Sequence, residues 1–279
     1  SLDPTFDVGS VTGGTVYALA LQADGRIVVG GSFVGFAGGT RNNFVRLNAD
    51  GSIDPGFLTR GLNSTVNAVA IQADGKILAG GFMNSYVDAA GSSVSRSHLV
   101  RVNADGTLDA AFNPTFSTTV QAIAIQPDGM LLVGGQFTSV NGAPVGRLAR
   151  LTVNGDLDSV FDAAVGSGFN SSINSIGVQS DGRILVGGFF TEFSNGATAN
   201  RLMRLNSSGT RDTGFLTLGF EGTVYGVAVL PGDKIVAAGA ITAYMNSSGT
   251  VTTRNRFARL NADGTLDSAV NFAAVRKAG

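Results

Sequence analysis

The chain has 279 residues, 43% of them apolar and 14% charged, with 40 glycines and no cysteine. Nineteen basic against twenty acidic residues leave a formal charge of −1, so nucleic acid and anionic membranes find no electrostatic attraction, and the lack of cysteine removes disulfides and thiol chemistry. The apolar content excludes a disordered chain, the glycines lack the three-residue period of collagen, and no apolar run is long enough for an ordinary spanning helix.

Along the chain the predicted elements come as a repeat. A short motif, Leu2-Asp3-Pro4-Thr5-Phe6, opens it. VYALALQADGRIVVGGSF follows at 16–33 and returns as VNAVAIQADGKILAGGF (66–82), VQAIAIQPDGMLLVGGQF (120–137), INSIGVQSDGRILVGGFF (173–190) and VYGVAVLPGDKIVAAGAI (224–241). After each comes a second block: FVRLNADGSIDPGF (44–57), LVRVNADGTLDAAF (99–112), LARLTVNGDLDSVF (148–161), LMRLNSSGTRDTGF (202–215) and FARLNADGTLDSAV (257–270). Each block reads as strand, Asp-Gly turn, strand, the strongest short-range hairpin signal. No apolar set keeps a 3.6-residue period for three turns, so no helix is expected.

Four strands per repeat of about 50 residues predict one all-β domain over 1–279, a five-bladed β-propeller with repeats starting near 16, 66, 120, 173 and 224. The Leu/Ile-Asp-x-x-Phe motif occurs once more than the rest, and its last copy, Leu266 to Val270, has lost the phenylalanine. The N-terminal segment, residues 2–6, is therefore expected to supply the outer strand of the last blade and close the ring, removing a free edge.

The pattern Q-x-D-G-[RK]-I-x-x-G-G-x-F, then R-L-N-x-D-G-[ST]-L-D-x-x-F, resembles the bacterial delta-60 repeat over about 2–279. The fourth copy departs at Ser207-Ser208-Gly209 and Arg211, the fifth at Pro231-Gly232-Asp233 and Ala240. The resemblance implies tandem repeats in large envelope or secreted bacterial proteins, and implies no catalytic activity.

Two charged positions recur in every copy. Arg46, Arg101, Arg150, Arg204 and Arg259 stand near Asp54, Asp109, Asp158, Asp212 and Asp267, which points to a cross-strand or interblade pair rather than an anion-binding stripe. Asn48-x-Asp50-Gly51-x-x-Asp54 could be read as a small calcium loop, but turn chemistry explains it without a metal and the third and fourth copies break it. No cofactor or metal site is therefore expected, with calcium as the exception to test. The acids outside the repeat are Asp7, Asp88, Asp156, Asp162, Glu192 and Glu221. A glycosidase-like propeller would need some of them to converge on one cleft, and only Asp88 and Glu192 fall in loops expected to share a face. His98, the single histidine, cannot build a histidine metal cluster. No enzyme is expected.

Variation in length is confined to the connections between the second and third strands. Segments 83–100 and 242–258 are longer than their counterparts 34–45, 138–149 and 191–203. In a closed ring these two insertions flank the first blade and would wall a groove above it, on the face opposite the Asp-Gly turns. Aromatic residues recur there as Phe36, Tyr86, Phe193 and Tyr244, with Val140 in the fifth slot; they read either as a stacking platform or as plugs of their own loops. The candidate ligand-binding set is Phe36, Tyr86, Asp88, Arg96, His98, Tyr244, Asn246 and Arg254. The resulting expectation is a non-catalytic binding or scaffold module recognising a glycan or protein partner through this face. A glycosidase-like enzyme and a purely structural spacer are the alternatives. The chain begins inside a repeat motif and has only three lysines. It is expected to be part of a longer secreted or cell-surface bacterial protein, a monomer beside neighbouring domains, without nucleic-acid binding or membrane insertion.

Overall fold

The structure, a computed structural model, describes residues 5–36 and 41–269. Each hairpin starts from its turn. Gly75, at φ +83°, takes the left-handed conformation that a residue with a Cβ resists, and the Asp74 carboxylate accepts the Lys76 N–H across the turn. The apolar runs on either side then pair: Val66–Ile71 with Ile77–Gly81, and that strand with Leu99–Val102. The same three-stranded sheet recurs five times, as a propeller requires. A fourth strand is reduced to one bridged pair per blade, Leu47 with Ile53 in the first and Leu260 with Leu266 in the last. The architecture is all-β, with five blades of about four antiparallel strands.

One element departs from the expectation. Ser159–Val165 forms a seven-residue helix, capped by the Asp158 side chain, which accepts the Val160 and Phe161 N–H groups. Seven residues make about two turns, too few for a helical period to show in the sequence.

Neighbouring blades join through the first glycine of each Gly-Gly pair. A Cβ added at Gly30, Gly80 or Gly134 would lie 2.5 Å from a methyl of Val66, Val120 or Ile173, and one at Gly187 would lie 2.7 Å from Val224. Glycine is required there because the next blade's inner strand fills the space. The residues it admits are fully buried, and the core runs between blades as much as within them; Val28 and Phe44 of the first blade cluster with Val66, Ile77 and Ala79 of the second.

The recurrent arginine locks each junction. Arg46 pairs with Asp54 at 2.8 Å, Arg101 with Asp109 at 2.9 Å, Arg150 with Asp158 at 2.7 Å and Arg204 with Asp212 at 2.7 Å. Each guanidinium also lies 4.2–4.6 Å from the ring centroid of the motif's phenylalanine, Phe57, Phe112, Phe161 or Phe215, a cation–π contact. A third bond crosses to the next blade, where the carbonyls of Ala104, Val153, Ser207 and Ala262 accept from these four arginines. The charge pair foreseen within one blade is thus also the tie between blades.

Inner strands pack in succession from Thr15–Leu21 to Val224–Val229, but among the described residues no comparable packing joins the last blade to the first. Val16 is 38% exposed where Val66, Val120, Ile173 and Val224 are 0%, and Leu19 and Leu21 are 65% and 72% exposed. Residues 2–4 of the proposed clasp lie outside the described residues. The segment just after them runs along the first blade, where the Asp7 N–H donates to the Asp50 carbonyl. Leu58 and Leu216 make the same bond to Asp105 and Asp263. The last blade's Asp267 holds its own Arg259 at 2.9 Å.

Two outcomes follow from the arginine junction. Arg101→Leu should lower stability by about 3 kcal/mol, read from urea unfolding, because Asp109 loses a buried partner and the Val153 carbonyl loses its donor; Arg259→Leu should cost less, because that side chain is 26% exposed against 6% for Arg101. Burial raises the carboxyl pKa of Asp54, Asp109 and Asp212, but bonds from backbone N–H groups and from Arg or Lys outweigh it and hold them below the usual carboxylate range. A depressed folded-state pKa stabilises above the unfolded value and is lost as pH falls. Melting temperature should therefore be flat above about pH 5 and fall progressively below about pH 4.

Candidate functional site

The two long connections fold into hairpins, Ser85–Asp88 with Ser93–Ser95 in the second blade and Ala243–Asn246 with Val251–Thr253 in the fifth. Each hairpin adds to the strand entering its own blade, Thr59–Leu62 or Thr217–Glu221. The insertions therefore thicken two blades separately, and the expected groove above the first blade is not formed.

The candidate residues split into equivalent pairs. Tyr86 and Tyr244 are each 2% exposed, and their hydroxyls donate to the Gly106 and Gly264 carbonyls at 2.9 Å. Those glycines belong to the Asp-Gly turns assigned from sequence to the opposite face, so the hairpins fold back over the blade's outer side. Burial raises the pKa of both phenols. Asp88 and Asn246 close the hairpin turns: Asp88 accepts the Ser92 N–H at 2.7 Å and Asn246 the Thr250 N–H at 2.7 Å. Arg96 is buried and donates to the Ser95 and Ala110 carbonyls, while half-buried Arg254 donates to Thr253.

Phe36 is buried against Phe33, and Phe193 against Phe169. The stacking platform is thus corrected to local plugs: Phe36, Tyr86 and Tyr244 have no exposed ring face to offer a sugar. His98 is half-buried beside Phe82, with ring centroids 5.9 Å apart, and burial lowers its pKa. Its backbone has φ +68°, as do the equivalent Asn43, Arg147, Arg201 and Arg256 within a few degrees. Position, not residue chemistry, places a histidine there.

Two depressions accompany these loops. Leu58, Tyr86, Asp88, Val94 and Leu108 line an open groove of about 460 Å³ on the outer side of the second blade. Arg147, Asn170, Glu192 and Asn195 line another of about 230 Å³ at the fourth. Asp88 and Glu192 thus belong to separate sites. The turn carboxylates are engaged within their own turns, Asp50 accepting the Ser52 N–H and hydroxyl and Asp105 those of Thr107, and these bonds lower their pKa. Among the described residues no group of three or more acidic or histidine side chains could hold a metal ion.

The repeat's register agrees with a family profile. A family described as "Domain of unknown function (DUF5122) beta-propeller" matches residues 22–57, 72–112, 126–161, 179–215 and 232–269, one segment per blade. The chain belongs to this family. Among curated proteins no sequence matches it. Of solved structures, the WD40 β-propeller domain of Doa1 shares the fold at TM-score 0.55 and 13% identity, with 89% of this chain and 73% of that one covered. The extracellular domain of a putative one-component system from B. thetaiotaomicron does so at TM-score 0.50 and 18% identity, covering 90% of this chain and 29% of that one. A virginiamycin B lyase from Staphylococcus aureus superposes less well, at TM-score 0.43 and 15% identity over 86% of this chain and 69% of the other. The first two likenesses support the propeller fold alone.

Tyr86→Phe should leave the fold intact and lower stability by about 1 kcal/mol in urea unfolding, since the buried Gly106 carbonyl loses its donor. Tyr244→Phe should do the same at the last blade.

Proposed function

We propose that the chain is a non-catalytic binding or scaffold module that takes an extended protein segment along its hairpins. The supporting observation is that both long insertions end in free strands. Ser93–Ser95 and Val251–Thr253 are the outermost members of three-stranded sheets. Asp88 donates to the Ser92 carbonyl and Arg96 to the Asn84 carbonyl; antiparallel alternation then turns the Ser93 and Ser95 N–H groups outward. A sheet edge of this kind offers backbone hydrogen bonds to an added strand, and adjacent pockets supply selectivity. The groove beside the first edge, with Leu58, Val94 and Leu108 in its wall, could take an apolar side chain.

A protein partner is favoured over a glycan because the rings that would stack on sugar are packed inside. The separation of Asp88 from Glu192 weighs against the glycosidase-like reading. Assignment to the delta-60 repeat, and with it a secreted or cell-surface bacterial setting, belongs to this proposal; it rests on the repeat pattern and on a neutral, lysine-poor composition.

Random peptides displayed on phage and panned on the intact chain should yield saturable, extended binders. Ser95→Pro removes one outward N–H and should weaken them about tenfold. Binders that ignore both Ser95→Pro and Val251→Pro, or a glycan-array hit with no peptide binding, would contradict the reading. A chain that binds neither peptides nor glycans is a spacer.

A further inference from the structure

We propose that the junction between the third and fourth blades holds a site for a small zwitterion, a free amino acid or a dipeptide, whose carboxylate meets Arg147 and whose ammonium group meets Glu192. The site lies where the repeat is broken. At two other junctions an asparagine two residues before the third strand, Asn42 or Asn200, bridges to Gly61 or Gly219 of the segment entering the next blade. In the third blade the equivalent residue is Gly146, and the entering segment is the Ser159–Val165 helix followed by Gly166, Ser167 and Gly168. Both glycines of this contact are needed, since a Cβ on Gly168 would lie 2.3 Å from the Gly146 carbonyl oxygen. The asparagine side chain is thus gone, and beside the contact opens the depression of about 230 Å³.

The two charges of the depression come from different blades. Arg147 is half-buried and positioned by a hydrogen bond from its Nη1 to the Phe169 carbonyl. That bond leaves the Nη2–Nε edge of the fork, which receives a carboxylate through two parallel bonds. Glu192 is exposed, and its backbone is fixed by the Asn170 side chain, which accepts the Glu192 N–H at 3.1 Å. Both side chains line the depression, yet neither has an ion-pair partner among the described residues, whereas every clamp arginine holds its aspartate. By repeat position the matching pairs are Asn43 with Ser85, His98 with Ser139 and Arg201 with Ala243. Of these four junctions, therefore, it is the third that sets a permanent cation opposite an anion. Opposite charges that face one depression without meeting suit a molecule that carries both. Ser167, Ser194 and Asn195 add polar groups to the wall. The volume falls below the range of drug-sized pockets, which limits the ligand to one or two residues. The site is away from both hairpin edges, and its test is independent of theirs.

Isothermal titration calorimetry of the intact chain tests this with the common free L-amino acids and a set of dipeptides, each up to about 10 mM. At least one should bind saturably, with a Kd at or below about 1 mM. Amidating the carboxylate or acetylating the amine of that ligand should each weaken binding at least about tenfold. Glu192→Gln should do the same without changing the melting temperature, since Glu192 is exposed. Arg147→Lys should also weaken binding, because lysine keeps the charge but not the fork. Binding that survives both amidation and acetylation, or that ignores both substitutions, would overturn the proposal. So would the absence of saturable binding across the whole panel. A lower melting temperature for Glu192→Gln would also overturn it, by showing that the two side chains serve each other as an ion pair.

Discussion

The structure depends on one guanidinium used three ways. In each of the first four blades the arginine of the second block pairs with the motif's aspartate, lies over its phenylalanine and donates to a carbonyl of the next blade. The first two contacts pin the fourth strand to its own sheet, although only one bridged residue pair remains of that strand. The third contact ties the sheet to its neighbour. A lysine would supply the charge but not the flat face and forked donors that make the three contacts simultaneous. A second cation often joins from the turn, as Lys76 does on Asp109 at 2.9 Å, which accounts for the Arg or Lys after Asp-Gly; in the third blade Met130 replaces it.

The last blade carries the clamp in a modified form. Arg259 keeps its aspartate at 2.9 Å, and Ala238 stands where the other four blades have the glycine that admits the next blade. The hairpin edges lie on the outer side of the second and fifth blades.

Most of the fold was legible because its determinants are side chains at fixed offsets. Asp-Gly marks the turns, Gly-Gly the blade contact, and Arg with Asp the clamp. What stayed hidden rests on backbone groups or on depth. The acceptors at Ala104, Val153, Ser207 and Ala262 are carbonyls, which carry no residue signature. Tyr86 reads equally well as a platform or a plug until its hydroxyl is seen on Gly106. Asp158 pairs with Arg150 as its repeat position demands, and the same carboxylate also caps a helix that the first, second and fourth copies do not form. The hairpins pair within their own blades rather than walling a groove above the first, because loop length was legible in the sequence but loop direction was not.

The central claim is that the arginine clamp holds the four junctions between successive blades. Hydrogen–deuterium exchange resolved by mass spectrometry, on the intact chain and on its Arg101→Leu variant, tests this most directly. In the variant, peptides covering 99–102 and 120–125, on the two sides of the junction that Arg101 ties, should lose more protection than those covering 173–178. Uniform loss of protection, or none, would contradict the account.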